Sequence, residues 1–175
     1  RAGNLKLRSW EAQAADEFSR TEGGFSRFNF DVNHVSKLSK VTQFDIFAHG
    51  QLANRNLDSS EQFYLGGADA VRAYPQGEAG GDSGYQATAE LRYQTPVKGM
   101  SMTLFADVGE VLARKDGDTS DPHRRLAGWG IGAVYSLDRS LYARLDYARK
   151  IKGESYRSEA EDKNGRLWFR LYKLF

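Results

Sequence analysis

At 175 residues with 40% hydrophobic residues, the chain is long enough for one domain with a sizeable apolar surface to bury. Its 25 basic and 23 acidic residues leave a net charge of only +2, spread without a basic block, which argues against a nucleic-acid partner. The lack of cysteine excludes a disulfide framework and a cysteine-based zinc site, and no run of about 18 apolar residues is present to form a transmembrane helix. A membrane is still open to strands, because a spanning β-strand needs only about 9 to 11 residues of alternating character. Starting at Arg1 without a Met or signal peptide, the sequence reads as a mature product or a fragment.

Alternation is the dominant signal along the chain. LKLRSW (5–10) is a first candidate strand. In FSRFNFDVN, Phe28, Phe30 and Val32 share one face, with Arg27, Asn29, Asp31 and Asn33 on the other. In TQFDIFAHGQ, Phe44, Ile46 and Ala48 oppose Gln43, Asp45, His49 and Gln51. Tyr85, Ala87, Ala89, Leu91 and Tyr93 then oppose Gln86, Thr88, Glu90 and Arg92; Met100 to Val108 in steps of two oppose Ser101, Thr103, Phe105 and Asp107. Ala127, Trp129, Ile131, Ala133 and Tyr135 oppose Gly128, Gly130 and Gly132, and Leu141, Ala143, Leu145 and Tyr147 oppose Tyr142, Arg144 and Asp146. RLWFRLYKLF completes eight candidate strands, and no segment has a convincing helical period.

The connections alternate long and short: about 11–24, 35–40, 53–83, 95–99, 110–124, 137–139 and 150–164. Up-and-down membrane barrels have this asymmetry, with short periplasmic turns and long external loops. The faces agree with it. Charges (Arg27, Asp31, Asp45, Glu90, Arg92, Asp107, Arg144, Asp146) gather on one side, while Tyr93, Trp129, Tyr135 and Tyr147 sit near strand ends on the other, as an interfacial girdle does. A soluble two-sheet fold with one wet face per sheet is the bland alternative. The expectation is an all-β, antiparallel up-and-down transmembrane β-barrel with eight strands in this chain, and with Trp129, Ile131, Leu141, Leu145 and Phe169 turned outward. If that barrel is incomplete, the strand near Leu5 to Trp10 must leave unpaired backbone groups or find a partner, because an open edge is not tolerated in lipid.

One connection is unusual. A loop of more than about a dozen residues inside a compact domain is either functional or disordered, and 53–83 mixes aromatics with its glycines and charges. The stretch SSEQFYLGGADAVRAYPQGEAGGDSGYQATAELRY closely resembles the hemolysin-activator group of two-partner secretion transporters, filamentous-hemagglutinin-transporter-like proteins of the outer-membrane protein 85 superfamily. The tetrad Val71, Arg72, Ala73 and Tyr74 matches the family's VRGY-type loop, after Gly66 and Gly67 and before Gly81 and Asp82. GQLANRNLDSSEQF upstream and FADVG at 105–109, similar to the family's F-x-D-x-G strand motif, extend the match. Ala73 departs from the usual glycine, which disfavours a positive φ there. The terminal Phe175 resembles the signal read by the barrel-assembly machinery, with Lys173 standing where an apolar residue is usual.

The resemblance implies that residues 1–175 are the last eight strands of a sixteen-stranded outer-membrane barrel, whose POTRA domains and plug helix are absent from this chain. It implies an outer-membrane pore that exports a large unfolded exoprotein (adhesin, hemolysin or contact-dependent toxin), with no cofactor, metal or nucleic acid, and with the exoprotein, the lipid bilayer and the assembly machinery as partners. It also implies that the long loop folds into the lumen, where Arg72 meets Asp107 of FADVG, flanked by Phe105 and Gly109. Alternation independently turns Asp107 inward, together with Glu90 and Arg92. Gly128, Gly130 and Gly132 leave three missing side chains on the next inner face, room for a loop to approach, and Tyr74 is expected against the wall near Phe105. In a wet lumen such a pair contributes about 1 to 3 kcal/mol.

Other functions are weaker readings. An insertase of the same superfamily shares the loop but not its NLDSSEQF…GEAGGD context. A barrel enzyme would have to use His34, His49 or His123, none of which lies in H-E-x-x-H or beside a G-x-S-x-G elbow, although His49 and Asp45 share the polar face. GGADAVRAY lacks the Lys-Ser/Thr of a phosphate loop, and Glu78 and Asp82 read as a solvated loop face without metal spacing. No catalytic residue is assigned.

Overall fold

The computed structural model describes residues 1–113, 123–136, 140–151, 158–159 and 163–174, apart from the side chains of Ala12 and Phe18. In chain order the elements are β1 (Ala2–Leu5), α1 (Trp10–Ser19), β2 (Gly23–Lys37), β3 (Thr42–Ala53), a 3-10 turn (Ser59–Glu61), β4 (Phe63–Tyr64), β5 (Gly80–Gly81), β6 (Ser83–Gln94), β7 (Met100–Leu112), β8 (His123–Ser136), β9 (Leu141–Lys150) and β10 (Gly165–Lys173). Eight of the strands form one sheet in the order β1-β2-β3-β6-β7-β8-β9-β10, each antiparallel to its neighbour, as the meander reading expects. Among the described residues the two end strands, β1 and β10, do not pair with each other.

Register converts the alternation into two surfaces of opposite chemistry. Along β7, Ser101, Thr103, Phe105, Asp107 and Gly109 are buried on the inner face, while Met102, Leu104, Ala106 and Val108 between them are exposed. Trp129, Ile131, Leu145 and Phe169 are likewise exposed, and Leu141 is half-buried. Phe28 is 64% exposed and Trp129 45% exposed, so no dry core gathers them. An apolar outer band of this kind needs lipid, since water would leave it unburied. The buried apolar cluster lies inside instead: Phe63, Leu65, Val71, Ala73, Tyr74 and Ala79 from the long loop pack against Phe105, Val111, Leu126 and Ala148 of the wall.

The N-terminal region departs from expectation. The first strand is Ala2–Leu5, paired to Gly23–Ser26, and not 5–10; Trp10–Ser19 is a helix where none was expected. Three alanines, two glutamates and a glutamine in WEAQAADEFS favour a helix locally, but its polar residues surround it, so no amphipathic period announces it. The helix ends on Arg20, whose φ of 54° closes the turn while its N–H donates to the Asp16 carbonyl at 2.7 Å. Strand β7 also runs four residues past Val108, to Leu112. Phe175 lies outside the described residues.

Asp16 secures the end of α1. Its carboxylate accepts hydrogen bonds from the Thr21 and Glu22 N–H groups and from the Thr21 and Ser19 hydroxyls. Burial opposes its ionisation, but the bonds from Thr21, Glu22 and Ser19 outweigh that and lower its pKa from 3.8 to about 2. A depressed carboxylate pKa stabilises the fold above the unfolded value and ceases to do so as pH falls through the folded one. The turn at Thr21 and Glu22 should therefore hold at pH 5 and loosen as pH falls from about 4 to about 2. Amide exchange at those two residues measures this, and Asp16→Asn should remove the pH step. The outer band makes a second prediction. Leu104, flanked in register by Leu91 and Ile131, is mid-strand and outward, so Leu104→Arg should cost about 2 to 4 kcal/mol of insertion. The measurement is the folded fraction on a heat-modifiability gel.

Candidate functional site

The segment between β3 and β6 folds because its backbone polar groups find partners at each stage. Asn54 exchanges bonds with Ser26, its N–H donating to the carbonyl at 3.1 Å and its Oδ1 accepting from the N–H at 2.8 Å. Asp58 caps the 3-10 turn by accepting from the Ser60 N–H. The β4–β5 pair then turns the chain back, and the Val71 N–H donates to the Leu65 carbonyl at 2.7 Å to fold the tip. Gly67 sits at φ +136°, a conformation that L side chains rarely adopt. Ala73 is not among the positive-φ residues, consistent with its having a side chain.

This tip delivers Arg72 to the inner wall. Arg72 Nε donates to Asp107 Oδ2 at 2.9 Å and Nη2 donates to Oδ1 at 2.8 Å, the paired geometry that a planar guanidinium makes with a carboxylate. The Arg72 backbone N–H adds a bond to Oδ2 at 3.2 Å, and the Thr88 hydroxyl donates to Oδ1 at 2.8 Å. The guanidinium carbon lies 3.2 Å from the centre of the Phe105 ring, a cation–π contact. Arg72 is 4% exposed and Asp107 is 0% exposed. The pair is dry, which corrects the wet-lumen expectation: removing one partner of such a pair costs about 3 to 5 kcal/mol because the other charge is left buried.

The charges do not stop at one pair. Glu90 accepts from Arg72 Nη1 at 3.3 Å, from Arg92 Nη2 at 3.1 Å and from Arg144 Nη2 at 2.8 Å. Arg144 Nε and Arg170 Nη2 both donate to Asp146 Oδ2, at 2.7 and 2.9 Å, and Arg170 also pairs with Asp69 of the loop. Arg92 approaches Asp45 at 3.7 Å, and Asp45 also accepts from Gln43, so Asp45 is engaged away from His49. The ring of His49 instead stands 5.1 Å from that of Phe63.

Glu78 and Asp82 overturn their reading as a solvated face, since both are buried. Glu78 accepts from Arg124 Nη2 at 2.7 Å and from the Ser158 N–H and hydroxyl at 3.0 and 2.6 Å. Asp82 accepts from the Leu57 N–H at 3.1 Å and from Gln62 Nε2 at 3.0 Å. Sequence reasoning also passed over Asp69, Arg124, Trp168 and Arg170. For the last two a signal existed: with Phe169 outward, period-two alternation turns both inward.

The wall glycines divide their work. A Cβ on Gly128 would lie 2.6 Å from the Ala73 Cβ, and one on Gly109 would lie 2.5 Å from Leu65 Cδ2, so these two admit the loop. At Gly130 the space is taken by the Tyr147 carbonyl and the Phe105 ring, and at Gly132 by the Asp146 carboxylate and Thr103. Those two shape the wall that receives Arg72. Tyr74 is fully buried in the cluster with Phe105, with Lys150 Nζ 5.1 Å from its ring centre.

An antiparallel meander with an apolar outside, a charged inside and a loop docked on its inner wall defines a β-barrel protein of the bacterial outer membrane. The chain belongs to the haemolysin secretion/activation protein family ShlB/FhaC/HecB, whose model matches residues 6–135. It is 32% identical over 111 residues to the heme/hemopexin transporter protein HuxB from two strains of Haemophilus influenzae, over 61% of this chain and 20% of each relative. The solved structure of CdiB from Acinetobacter baumannii has the same fold, with a TM-score of 0.66 at 20% identity over 87% of this chain and 27% of that one. This chain thus spans about a fifth of the length of the curated relatives it matches.

The Ala73–Gly128 contact makes a sharp test. Gly128→Val should displace the loop and open residues 66–77 to added protease in intact barrels. Gly24→Ala should leave the digestion pattern unchanged, because its added carbon meets nothing closer than 4.0 Å.

Proposed function

We propose that this chain is the C-terminal, eight-stranded part of a sixteen-stranded outer-membrane barrel that secretes an unfolded exoprotein through its lumen, and that residues 54–82 are a latched loop which sets the pore's working state. The observation that carries the reading is the buried Arg72–Asp107 pair, which spends a desolvated charge on holding a loop and not on joining strands. Family membership and the relative named a heme/hemopexin transporter protein support export over other roles. The two end strands, each laddered along one edge and not paired to each other among the described residues, support a larger barrel, because strand edges in lipid need partners.

The inner faces of β2 and β3 suit a passing polypeptide. Asn29, Asp31, Asn33 and Phe47 are exposed there, beside the docked loop and outside its cover. A mixed wall of amides, one acid and one aromatic offers an extended chain many weak contacts. The work is transport without covalent chemistry, so neither a catalytic group nor a cofactor is assigned. The exoprotein is an adhesin, hemolysin or contact-dependent toxin, recognised mainly by POTRA domains that lie outside these residues. Val71, Arg72, Ala73 and Tyr74 form the latch and Phe105, Asp107 and Gly109 its seat. Phe175 is the group read by the assembly machinery.

Arg72→Ala in the full-length transporter tests this. Backbone ladders hold the sheet, so the barrel should still insert and keep its heat-modifiable migration. The loop should lose its seat, at a cost of about 3 to 5 kcal/mol from the stranded Asp107 charge, and exoprotein in the medium should fall well below the wild-type amount. Arg72→Lys should also fail to restore full secretion, because an ammonium cannot reproduce the two parallel bonds. Wild-type secretion by Arg72→Ala would end the functional reading.

A further inference from the structure

Asp107 holds the loop from β7, and two residues of β10 hold it from the other side. Trp168 Nε1 donates to the Arg72 carbonyl at 2.7 Å. Arg170 pairs with Asp69 at the loop tip and donates through Nη2 to Asp146 Oδ2 at 2.9 Å. Asp146 is 3.7 Å from Arg72 Nη1 and also accepts from Arg144, so one buried carboxylate on β9 meets guanidinium groups from β9, β10 and the loop. Trp168 is inward beside Asp146, its register partner, on a strand whose outward residues Leu167, Phe169 and Leu171 are exposed.

The position of β10 gives these contacts their meaning. It is an end strand, laddered to β9 along one edge and without a strand partner on the other among the described residues. The loop therefore adds a second fastening to a strand that is laddered along one edge. Trp168 binds a backbone carbonyl, so its bond registers the position of the loop main chain and not the identity of a side chain. Arg170 divides its guanidinium between wall and tip.

We propose that Trp168 and Arg170 are positioning residues that couple seating of the loop to placement of β10, so that the two are released together. The proposal rests on the latched-loop reading above. By linkage, a change that weakens the loop's hold on β10 weakens the hold of β10 on the loop by the same factor. An exoprotein that lifts the loop would also loosen the strand through which the barrel must close.

Hydrogen–deuterium exchange on the full-length transporter in lipid tests the coupling in both directions. Trp168→Phe keeps the ring and deletes one donor; exchange in residues 66–77 should rise about fivefold, the effect of one net hydrogen bond. Asp69→Asn alters an exposed side chain at the tip; exchange in residues 166–172 should rise by a similar factor, with β2 and β3 unchanged. Acceleration confined to the altered element, or spread equally over β2 and β3, would overturn the coupling. Secretion by the same variants separates the two ideas: reciprocal exchange with normal secretion keeps the coupling and removes the latch from export, whereas one-sided exchange removes the coupling whatever is secreted.

Discussion

A guanidinium and a carboxylate that have left water together can be neither separated cheaply nor left alone, and Arg72 and Asp107 are in that position. Asp107 shares its wall with Glu90 and Asp146, also buried; Arg92, Arg144 and Arg170 pair with those two, whereas Asp107 pairs with Arg72 of the loop. Much of the loop's design follows from the need to bring Arg72 to that depth. The β4–β5 hairpin carries the chain down, Gly109 and Gly128 clear its path, and Glu78 with Arg124 ties its returning arm.

Lipid inverts the usual distribution of apolar residues, and the loop restores part of it. With Leu104, Trp129 and Ile131 facing outward, the sheet has little apolar surface of its own to pack inside. Leu65, Val71 and Tyr74 provide it, each fully buried and each contributing about 1.5 to 3 kcal/mol by area. Apolar burial thus adds to the hold of the wall on the loop. The ion network supplies the register, because a guanidinium stacked on Phe105 and forked onto Asp107 tolerates no sliding. Strand pairing rests on backbone ladders, so the loop can let go, loosening β10, without the sheet coming apart.

The strands were legible because alternation is a local property, repeated every second residue and anchored by β-branched and aromatic side chains. The inward orientation of Phe105, Asp107 and Gly109 follows from the same parity. Helix α1 was not legible, because a short helix with polar residues all round carries propensity without period. Glu78 and Asp82 were misread for a related reason: an acid in a glycine-rich loop looks solvated until the partners brought to it by folding are known, here Arg124 and Ser158, 46 and 80 residues away, for Glu78, and the backbone of Leu57 for Asp82.

Amino-acid order alone therefore determined a lipid-facing meander, a charged interior, an exceptional loop and, through its likeness to a transporter family, the pairing of Arg72 with Asp107. Tertiary structure decided that the pair is dry, that Glu90 and Asp146 share its cation, that Gly109 and Gly128 are wall glycines against which the loop packs, and that Trp168 and Arg170 reach it from the last strand. Parity states which face a side chain takes, one strand at a time. Burial and choice of partner depend on how far the curved sheet brings β10 towards a loop tip about a hundred residues earlier in the chain, and no local pattern encodes that distance.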